Sequence, residues 1–182
     1  MEVRTVVRAP RQTVAKSRPS ESFYAGLTGD RLFADDFGAA ARRGVEIHER
    51  YRQVEWATDA ELAALPAGFR EAFARPSDAA TVWRERSYEL FADGAWETGQ
   101  FDRVVFDGEG DARTATIYDF KTNAKGRDES DGAFAERLRK EYAAQIVAYR
   151  KALSRLTGIP SERIAAKLLA EATGQAVQVA QG

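Results

Sequence analysis

The most informative constraint on the fold is the segment Tyr118–Asn123, a β-type run that ends with an acid and a lysine two residues apart. On a strand, alternate residues project from the same face. We therefore expect Asp119 and Lys121 to point together, while Tyr118 and Phe120 point to the other side. A carboxylate and an ammonium group then share one site.

A second β-type run, Gly99–Phe106, precedes this strand and carries Asp102 among apolar neighbours. The turn-rich segment Asp107–Asp111 separates the two runs, which predicts a β-hairpin with an acid on each arm. If Asp102 and Asp119 face each other across strands about 4.8 Å apart, their carboxylates converge. An Asp-x-Lys pair is commonly a surface ion pair. Here, however, both acids interrupt the most apolar strands, where an unpaired buried charge is costly.

Converging carboxylates of this kind indicate metal-assisted phosphodiester hydrolysis. Hard cations such as Mg²⁺ take oxygen ligands at about 2.1 Å and are usually held by one or two carboxylates, with water and substrate phosphate completing the shell. A nearby lysine, Lys121, can orient the attacking water or offset the charge that develops on the phosphate. A phosphatase or another small-molecule hydrolase uses similar ligands, but it has no support beyond the carboxylates themselves.

The composition excludes several classes of protein. The chain has 182 residues, of which 44% are apolar, and this suits one globular domain. It contains no cysteine, which excludes disulfides, thiolate zinc sites, iron–sulfur clusters and cysteine nucleophiles. The net charge is −1, so an anionic partner must be met by local basic clusters. No apolar run suits a membrane span or a signal peptide, so we expect a cytoplasmic protein without a membrane partner.

Residues 1–22 differ from the rest of the chain. They carry several basic residues, two prolines and several Ser and Thr residues, which predicts a flexible basic linker. An organelle transit peptide has a similar composition, but no convincing amphipathic period runs through this segment.

The first predicted helix spans about Asp36 to Val54. Its apolar stripe includes His48, the single histidine of the chain. A lone histidine on such a stripe is more often a hydrogen-bonded core residue than a ligand. Gly44 lies one turn earlier, where it would let another backbone or a ligand approach closely.

Three shorter elements are predicted before the hairpin. Thr58–Glu61 has the form of a capping box, and Pro66–Arg75 suggests a short helix. Thr81–Leu90 has the β-branched and aromatic content of a strand. On that strand, Glu85 either places a third carboxylate on the sheet or faces solvent.

A long helix follows the hairpin, because apolar residues recur at intervals of three and four from Phe134 to Leu156 and Gly158 ends the pattern. Gln145 is the polar member of this stripe, and either it is aimed at the metal site or it satisfies a core carbonyl. The segments 163–170 and 175–180 predict a terminal hairpin or edge strands. The element order indicates an α/β or α+β arrangement.

Taken together, these residues resemble the RecB/AddA branch of the PD-(D/E)XK nuclease superfamily. The resemblance covers about residues 34 to 180. It rests on five ordered matches: Gly44-x-x-x-His48, Glu85 on a strand, Gly99-x-x-Asp102, Asp119-x-Lys121-Thr122-Asn123 and Tyr142-x-x-Gln145-x-x-x-Tyr149. It implies an α/β fold with a restriction-endonuclease-like core, in which helices flank a central mixed β-sheet. Residues 23–182 would form this nuclease domain.

The resemblance also implies Mg²⁺-dependent DNA cleavage, with Mn²⁺ able to substitute. The implied metal-binding groups are the side chains of His48, Asp102 and Asp119 and the backbone carbonyl of Phe120. The implied catalytic residues are Asp102, Asp119, Lys121, Gln145 and Tyr149. Lys121 would be the catalytic lysine, whereas the role of Glu85 stays open.

Members of this family often end a helicase that acts in recombinational repair. The resemblance therefore implies DNA, a covalently linked helicase domain and a second helicase–nuclease subunit as candidate partners. The chain has no Gly-Lys dipeptide, so it cannot carry the phosphate loop of an ATPase. Our main hypothesis is a nuclease, expected to act as an exonuclease on single-stranded or unwound DNA. The alternative is a nuclease-like module that binds DNA or a partner without cutting.

Overall fold

The computed structural model describes residues 16–17, 35–92 and 94–180. Within these residues, six strands form one mixed β-sheet with helices on both faces, which confirms the α/β architecture. The strands are β1 (Lys16–Ser17), β2 (Thr81–Ala92), β3 (Ala95–Asp107), β4 (Thr114–Lys121), β5 (Ile164–Ala170) and β6 (Gln175–Gln178). The α-helices are α1 (Asp35–Arg52), α2 (Asp59–Ala64), α3 (Arg70–Phe73) and α4 (Asp131–Thr157).

The order of strands in the sheet is β1-β3-β4-β5-β6, with β2 paired to β3 as well. β3 runs antiparallel to both β2 and β4, whereas β4 and β5 are parallel and are joined by α4. β5 and β6 are antiparallel, which confirms the terminal hairpin among the predicted alternatives. A parallel pair needs a long crossover connection, and the 27-residue helix α4 supplies it.

The predicted acidic hairpin is present as β3 and β4. Its register pairs Arg103 with Tyr118 and Val104 with Ile117. Ladder pairing stops at Arg103, so Asp102 and Asp119 lie one position beyond the last pair. The two acids therefore occupy the point at which the two strands begin to diverge.

Two apolar clusters sandwich the sheet. One lies between the sheet and α4, and the other lies between the sheet and the α1–α3 side. The first includes Phe101, Phe106, Ile117, Leu138, Ile146 and Leu168. The second includes Ile47, Tyr51, Phe69, Phe73, Tyr118 and Phe120. β4 contributes to both clusters through alternate residues, so its apolar sequence is explained by burial on two faces.

The long helix confirms the predicted period and its stop signal. Ser130 caps the N-terminus by accepting the N–H of Ala133, and Gly158 ends the helix with a φ of +75°. The stripe is buried along most of its length, but Leu156 is exposed in the last turn. The capping box at Thr58–Glu61 is also confirmed. The Thr58 side chain accepts the N–H of Glu61, and the Glu61 side chain accepts the N–H of Thr58.

Arg103 fastens β3 to the segment between α1 and α3. Its guanidinium group donates to the carbonyl oxygens of Val54, Glu55 and Ala72 at 2.5–2.8 Å. The group also lies over the ring of Phe73, 4.5 Å from its centroid, and is 1% exposed. Burial lowers the pKa of Arg103 to about 10. Because Arg103 is adjacent to Asp102, this clamp fixes the backbone at the start of the acidic site.

The predicted linker, residues 1–22, lies outside the described residues except for Lys16 and Ser17. These two residues pair with Trp96 and Glu97 of β3.

No helix within the described ranges is both long enough and apolar enough to cross a membrane.

Candidate active site

Three side chains from three elements meet beside the hairpin. His48 of α1, Glu85 of β2 and Asp102 of β3 each offer one ligand atom, and these atoms lie within 4.8 Å of one another. His48 Nδ1 is 3.1 Å from a carboxylate oxygen of Glu85 and 3.5 Å from one of Asp102. Since a carboxylate only accepts, the ring N–H donates to Glu85. One imidazole and two carboxylates thus lie next to one another.

An unusual backbone conformation brings Glu85 into this cluster. Two residues earlier on β2, Trp83 packs on Phe106 in the α4-side core, with ring centroids 4.8 Å apart. Regular alternation would place Glu85 on that same face. Glu85 instead has a φ of +46°, which is uncommon for a residue other than glycine, and its side chain meets His48 on the α1 side. Backbone outliers of this kind cluster at functional sites.

The neighbouring strand changes faces at the same level. Phe101 of β3 packs against Tyr149 of α4, with centroids 5.3 Å apart. Arg103, two residues later, lies over Phe73 on the opposite side of the sheet. Asp102 stands at the crossing point, and its Oδ2 accepts the N–H of Phe120 at 2.8 Å. The side chain thereby occupies the place where a ladder hydrogen bond would otherwise form.

The second part of the site is the predicted Asp-x-Lys pair. Lys121 Nζ is 2.5 Å from Asp119 Oδ2, and both side chains are almost completely buried. The two residues share a face, while Tyr118 and Phe120 face the α1-side core, as the strand period predicts. Asp119 Oδ2 accepts no well-aligned hydrogen bond despite its contact with the ammonium group. The carboxylate of Asp119 is therefore held by its attraction to the ammonium group, and its Oδ2 can still accept a hydrogen bond.

Helix α4 supplies the remaining polar groups. Gln145 Oε1 accepts from Lys121 Nζ at 3.1 Å, and Gln145 Nε2 donates to the hydroxyl of Tyr149 at 3.2 Å. The structure thus aims Gln145 at the site and not at a core carbonyl. The side-chain amide of Gln145 connects Tyr149 to Lys121. The sequence left both possibilities open for Gln145, and packing of α4 against the sheet decides between them.

The acids influence one another strongly. Burial, and then the charge of Asp119, raise the pKa of Asp102 well above its usual range. Burial lowers the pKa of His48, but the hydrogen bond with Glu85 and the charges of Asp102, Glu85 and Asp119 outweigh it and leave a net rise. Negative charge gathered in a desolvated place contributes to both shifts. A cation at this place would offset that charge.

The residues present fit a divalent metal ion. Their donor set is one imidazole nitrogen and carboxylate oxygens, which suits Mn²⁺ as well as the harder Mg²⁺. The proton between His48 and Glu85 would be displaced, since ligands must be deprotonated to bind. His48 is 33% exposed, so the cluster is open to solvent on one side.

Most of the site residues expected from the sequence thus lie in one region. The metal cluster itself contains Glu85, which sequence reasoning left open, and does not contain Asp119, which lies with Lys121. Phe120 touches the site through its N–H and through its ring, which meets the ring of His48 edge-on at 5.6 Å. The role of its carbonyl, like the ligand assignments as a whole, stays a prediction.

Gly44 lies near Thr122, the residue that follows β4. An alanine Cβ at Gly44 would meet Thr122 Oγ1 at 3.6 Å, an ordinary contact, so no backbone of the described residues requires glycine there.

Tyr142 belongs to one of the matched motifs, and although the sequence assigned it no role, it lies directly against Lys121. Tyr142 and Gln145 are three residues apart on a helix, which places both side chains on one face. This spacing is the sequence signal that could have identified Tyr142 as a neighbour of the site.

A family model described as the PD-(D/E)XK nuclease superfamily matches residues 20–179. The chain belongs to this superfamily. No curated protein matches the sequence. Membership of the PD-(D/E)XK superfamily identifies a metal-dependent nuclease, which is a hydrolase of phosphodiester bonds. The restriction-endonuclease-like fold expected from the sequence is confirmed by this match and by the mixed sheet with its flanking helices.

Proposed function

We propose that this protein is a Mg²⁺-dependent deoxyribonuclease of the RecB/AddA branch, in which Mn²⁺ can replace Mg²⁺. The observation that carries the proposal is the meeting of His48, Glu85 and Asp102 within 4.8 Å, beside the buried pair of Asp119 and Lys121. A bound divalent ion would supply a Lewis acid that lowers the pKa of water and offsets phosphate charge. His48, Glu85 and Asp102 would hold it, with Asp119 completing the set from β4.

Lys121 carries the second part of the mechanism. Its ammonium group is fixed next to the carboxylates by Gln145, and it can donate an N–H to the attacking water or to a phosphate oxygen on which charge develops. A donor that is already in place costs no reorganisation during the reaction. Tyr149 acts one step away, because its hydroxyl accepts from Gln145 and sets the orientation of that amide.

The proposed substrate is single-stranded or unwound DNA, degraded by an exonuclease activity. The proposed setting is the nuclease module of a helicase–nuclease in recombinational repair, with a linked helicase domain and a second helicase–nuclease subunit as partners. The ordered motifs shared with the RecB/AddA branch support this. The net charge of −1 also fits a module that relies on a linked motor to deliver DNA, because affinity for DNA grows with the number of phosphates neutralised.

The test is DNA cleavage by purified protein in Mg²⁺, in Mn²⁺ and in EDTA. Single-stranded, double-stranded and circular substrates would separate exonuclease from endonuclease activity. We expect metal-dependent loss of linear single strands at catalytic protein concentrations, and we expect Asp119→Ala to abolish it. If Asp119→Ala cleaved DNA as fast as the parent, the assignment of the site would be wrong. Binding without cleavage in either metal would establish the alternative, a non-cutting module.

Lys167 provides a matched control for the catalytic lysine. It lies on β5, the strand next to β4, and it is paired with the carboxylate of Glu71, which is not a member of the metal cluster. Lys121→Met should lower kcat by a factor of about 100 or more, the scale on which removal of one preorganised donor acts. Lys167→Met should leave kcat unchanged. Equal losses in the two variants would show that the effect is on folding.

A further inference from the structure

Lys121 is enclosed on three sides. Its Nζ lies 2.5 Å from Asp119 Oδ2, 3.1 Å from Gln145 Oε1 and 3.8 Å from the centroid of the Tyr142 ring. An ammonium group has three N–H donors. A carboxylate, an amide oxygen and an aromatic face therefore surround the ammonium group, and the ring is the one neighbour whose role the nuclease mechanism does not explain.

The Tyr142 ring is itself held rigidly. It is 8% exposed and lies on α4 one turn before Gln145. Its hydroxyl donates to Asn123 Oδ1 at 3.0 Å, and Asn123 Nδ2 donates to Glu141 at 3.2 Å. Asn123 follows Lys121 by two residues. Tyr142 thus contacts Lys121 with the face of its ring and Asn123 with its hydroxyl group.

We propose that Tyr142 is a positioning residue for Lys121, whose aromatic face holds the ammonium group beside Asp119 by a cation–π interaction. A lysine side chain has a long flexible stem, and a single ion pair leaves it much freedom. The negative face of a buried aromatic ring restricts that freedom, and the attraction is stronger where water is excluded. The proposal rests on the nuclease function proposed above, because it assigns Tyr142 to the lysine of that reaction.

The first test weakens the ring's negative face without changing its shape. Phenylalanine, 4-fluoro-, 3,4-difluoro- and 3,4,5-trifluorophenylalanine would be placed at position 142 of the full chain, with phenylalanine as the reference because all four lack the hydroxyl. We expect kcat to fall with each fluorine, by about tenfold over the series. KM and the Kd for Mn²⁺ should stay constant, since the ring lies over Lys121, which is not a member of the metal cluster. A constant kcat would overturn the proposal.

Phe134 is the matched control for fluorination. It lies on the same helix, is 1% exposed and has the guanidinium group of Arg137 4.9 Å from its centroid. Trifluorophenylalanine at position 134 therefore weakens an equivalent contact to a cation that is not Lys121. We expect kcat within twofold of the parent. An equal loss at both positions would assign the effect to core packing and would refute a positioning role for Tyr142.

The second test does not depend on activity. In NMR spectra of the metal-free protein, the ε-methylene protons of Lys121 should be shifted upfield by the ring current of Tyr142. The shift should persist in Tyr142→Phe and disappear in Tyr142→Leu, with circular dichroism to confirm that the Tyr142→Leu variant is folded. An unshifted resonance in the parent would refute the proposal. If the parent showed the shift but cleaved no DNA, the nuclease function would fail while the contact of Tyr142 with Lys121 stood.

Discussion

Replacing Asp102 by asparagine should stabilise the metal-free protein while destroying its metal site. The Asp102 side chain is 11% exposed, and the charge of Asp119 adds to the cost of ionising it. Asparagine has almost the same shape. Its amide oxygen can still accept the N–H of Phe120, so the substitution removes a charge without leaving the backbone donor unpaired.

The magnitude follows from the pKa of Asp102. Each pKa unit by which folding opposes ionisation corresponds to about 1.4 kcal/mol. Relaxation and water penetration reduce such costs in real proteins, so we expect Asp102→Asn to raise the free energy of unfolding by about 1–3 kcal/mol at pH 8. With an m-value of about 2 kcal/mol per molar, the urea midpoint should rise by roughly 0.5–1.5 M.

The pH dependence has a definite sign. Because the pKa of Asp102 is raised in the folded state, the folded protein binds more protons than the unfolded chain between the ordinary carboxyl pKa and the raised value. The stability of the parent should therefore fall as the pH rises through this window. The advantage of Asp102→Asn should be largest at pH 8 and should vanish below about pH 3, where the carboxyl group is protonated in both states. Urea unfolding in EDTA at several pH values measures this.

Mn²⁺ should reverse the order of the two proteins. At 1,000 times its Kd, a ligand stabilises the folded state by about 4.1 kcal/mol, which exceeds the expected advantage of Asp102→Asn, and that variant should gain little of it. Asp107→Ala is the contrast on the same strand, since it removes the oxygen that accepts hydrogen bonds from Ser77 and from the N–H of Gly108, and it should lower the free energy of unfolding. If Asp102→Asn were less stable than the parent in EDTA at pH 8, Asp102 would be a structural acid and our electrostatic reasoning would be wrong.

Three further outcomes are expected. Glu85→Gln should weaken Mn²⁺ binding by roughly 10- to 100-fold in calorimetry, whereas Glu89→Gln on the same strand should not change it. Arg103→Met should lower the free energy of unfolding in urea by about 3–5 kcal/mol, because three carbonyl groups lose their donor. The hydrogen bond from Arg137 lowers the pKa of Glu129 to about 2, so the stability this pair contributes is present above the ordinary glutamate pKa and is lost as the pH falls towards 2. Glu129→Gln should flatten the stability profile in that acidic range.

Local patterns predicted the fold well wherever the spacing of apolar residues agreed with the turn and cap residues at the ends of the elements. The hairpin register followed from turn residues between two apolar runs, and α4 followed from a sustained helical period closed by Gly158. Pairings between distant segments carry no such signal. The parallel pairing of β4 with β5 and the clamp of Arg103 on three carbonyls depend on how separate elements pack, and no local pattern encodes that.

The candidate site shows the same division between local and distant information. The shared face of Asp119 and Lys121 is a property of one strand and was predictable from the strand period. The entry of Glu85 into the metal cluster was not, because it requires a positive φ at a glutamate in the middle of a strand. Sequence rules assign that conformation to glycine or asparagine. Local reasoning is expected to fail at strained functional positions.

The strain at Glu85 and the clamp at Arg103 are best understood together. Gathering the carboxylates of Glu85 and Asp102 around His48 and twisting β2 at Glu85 both work against folding in the absence of a cation. Arg103, next to Asp102, offsets this locally with three charge-assisted hydrogen bonds and two aromatic contacts that do not involve the site's own acids. The clamp can thus hold the backbone in place without neutralising the charges that attract the metal.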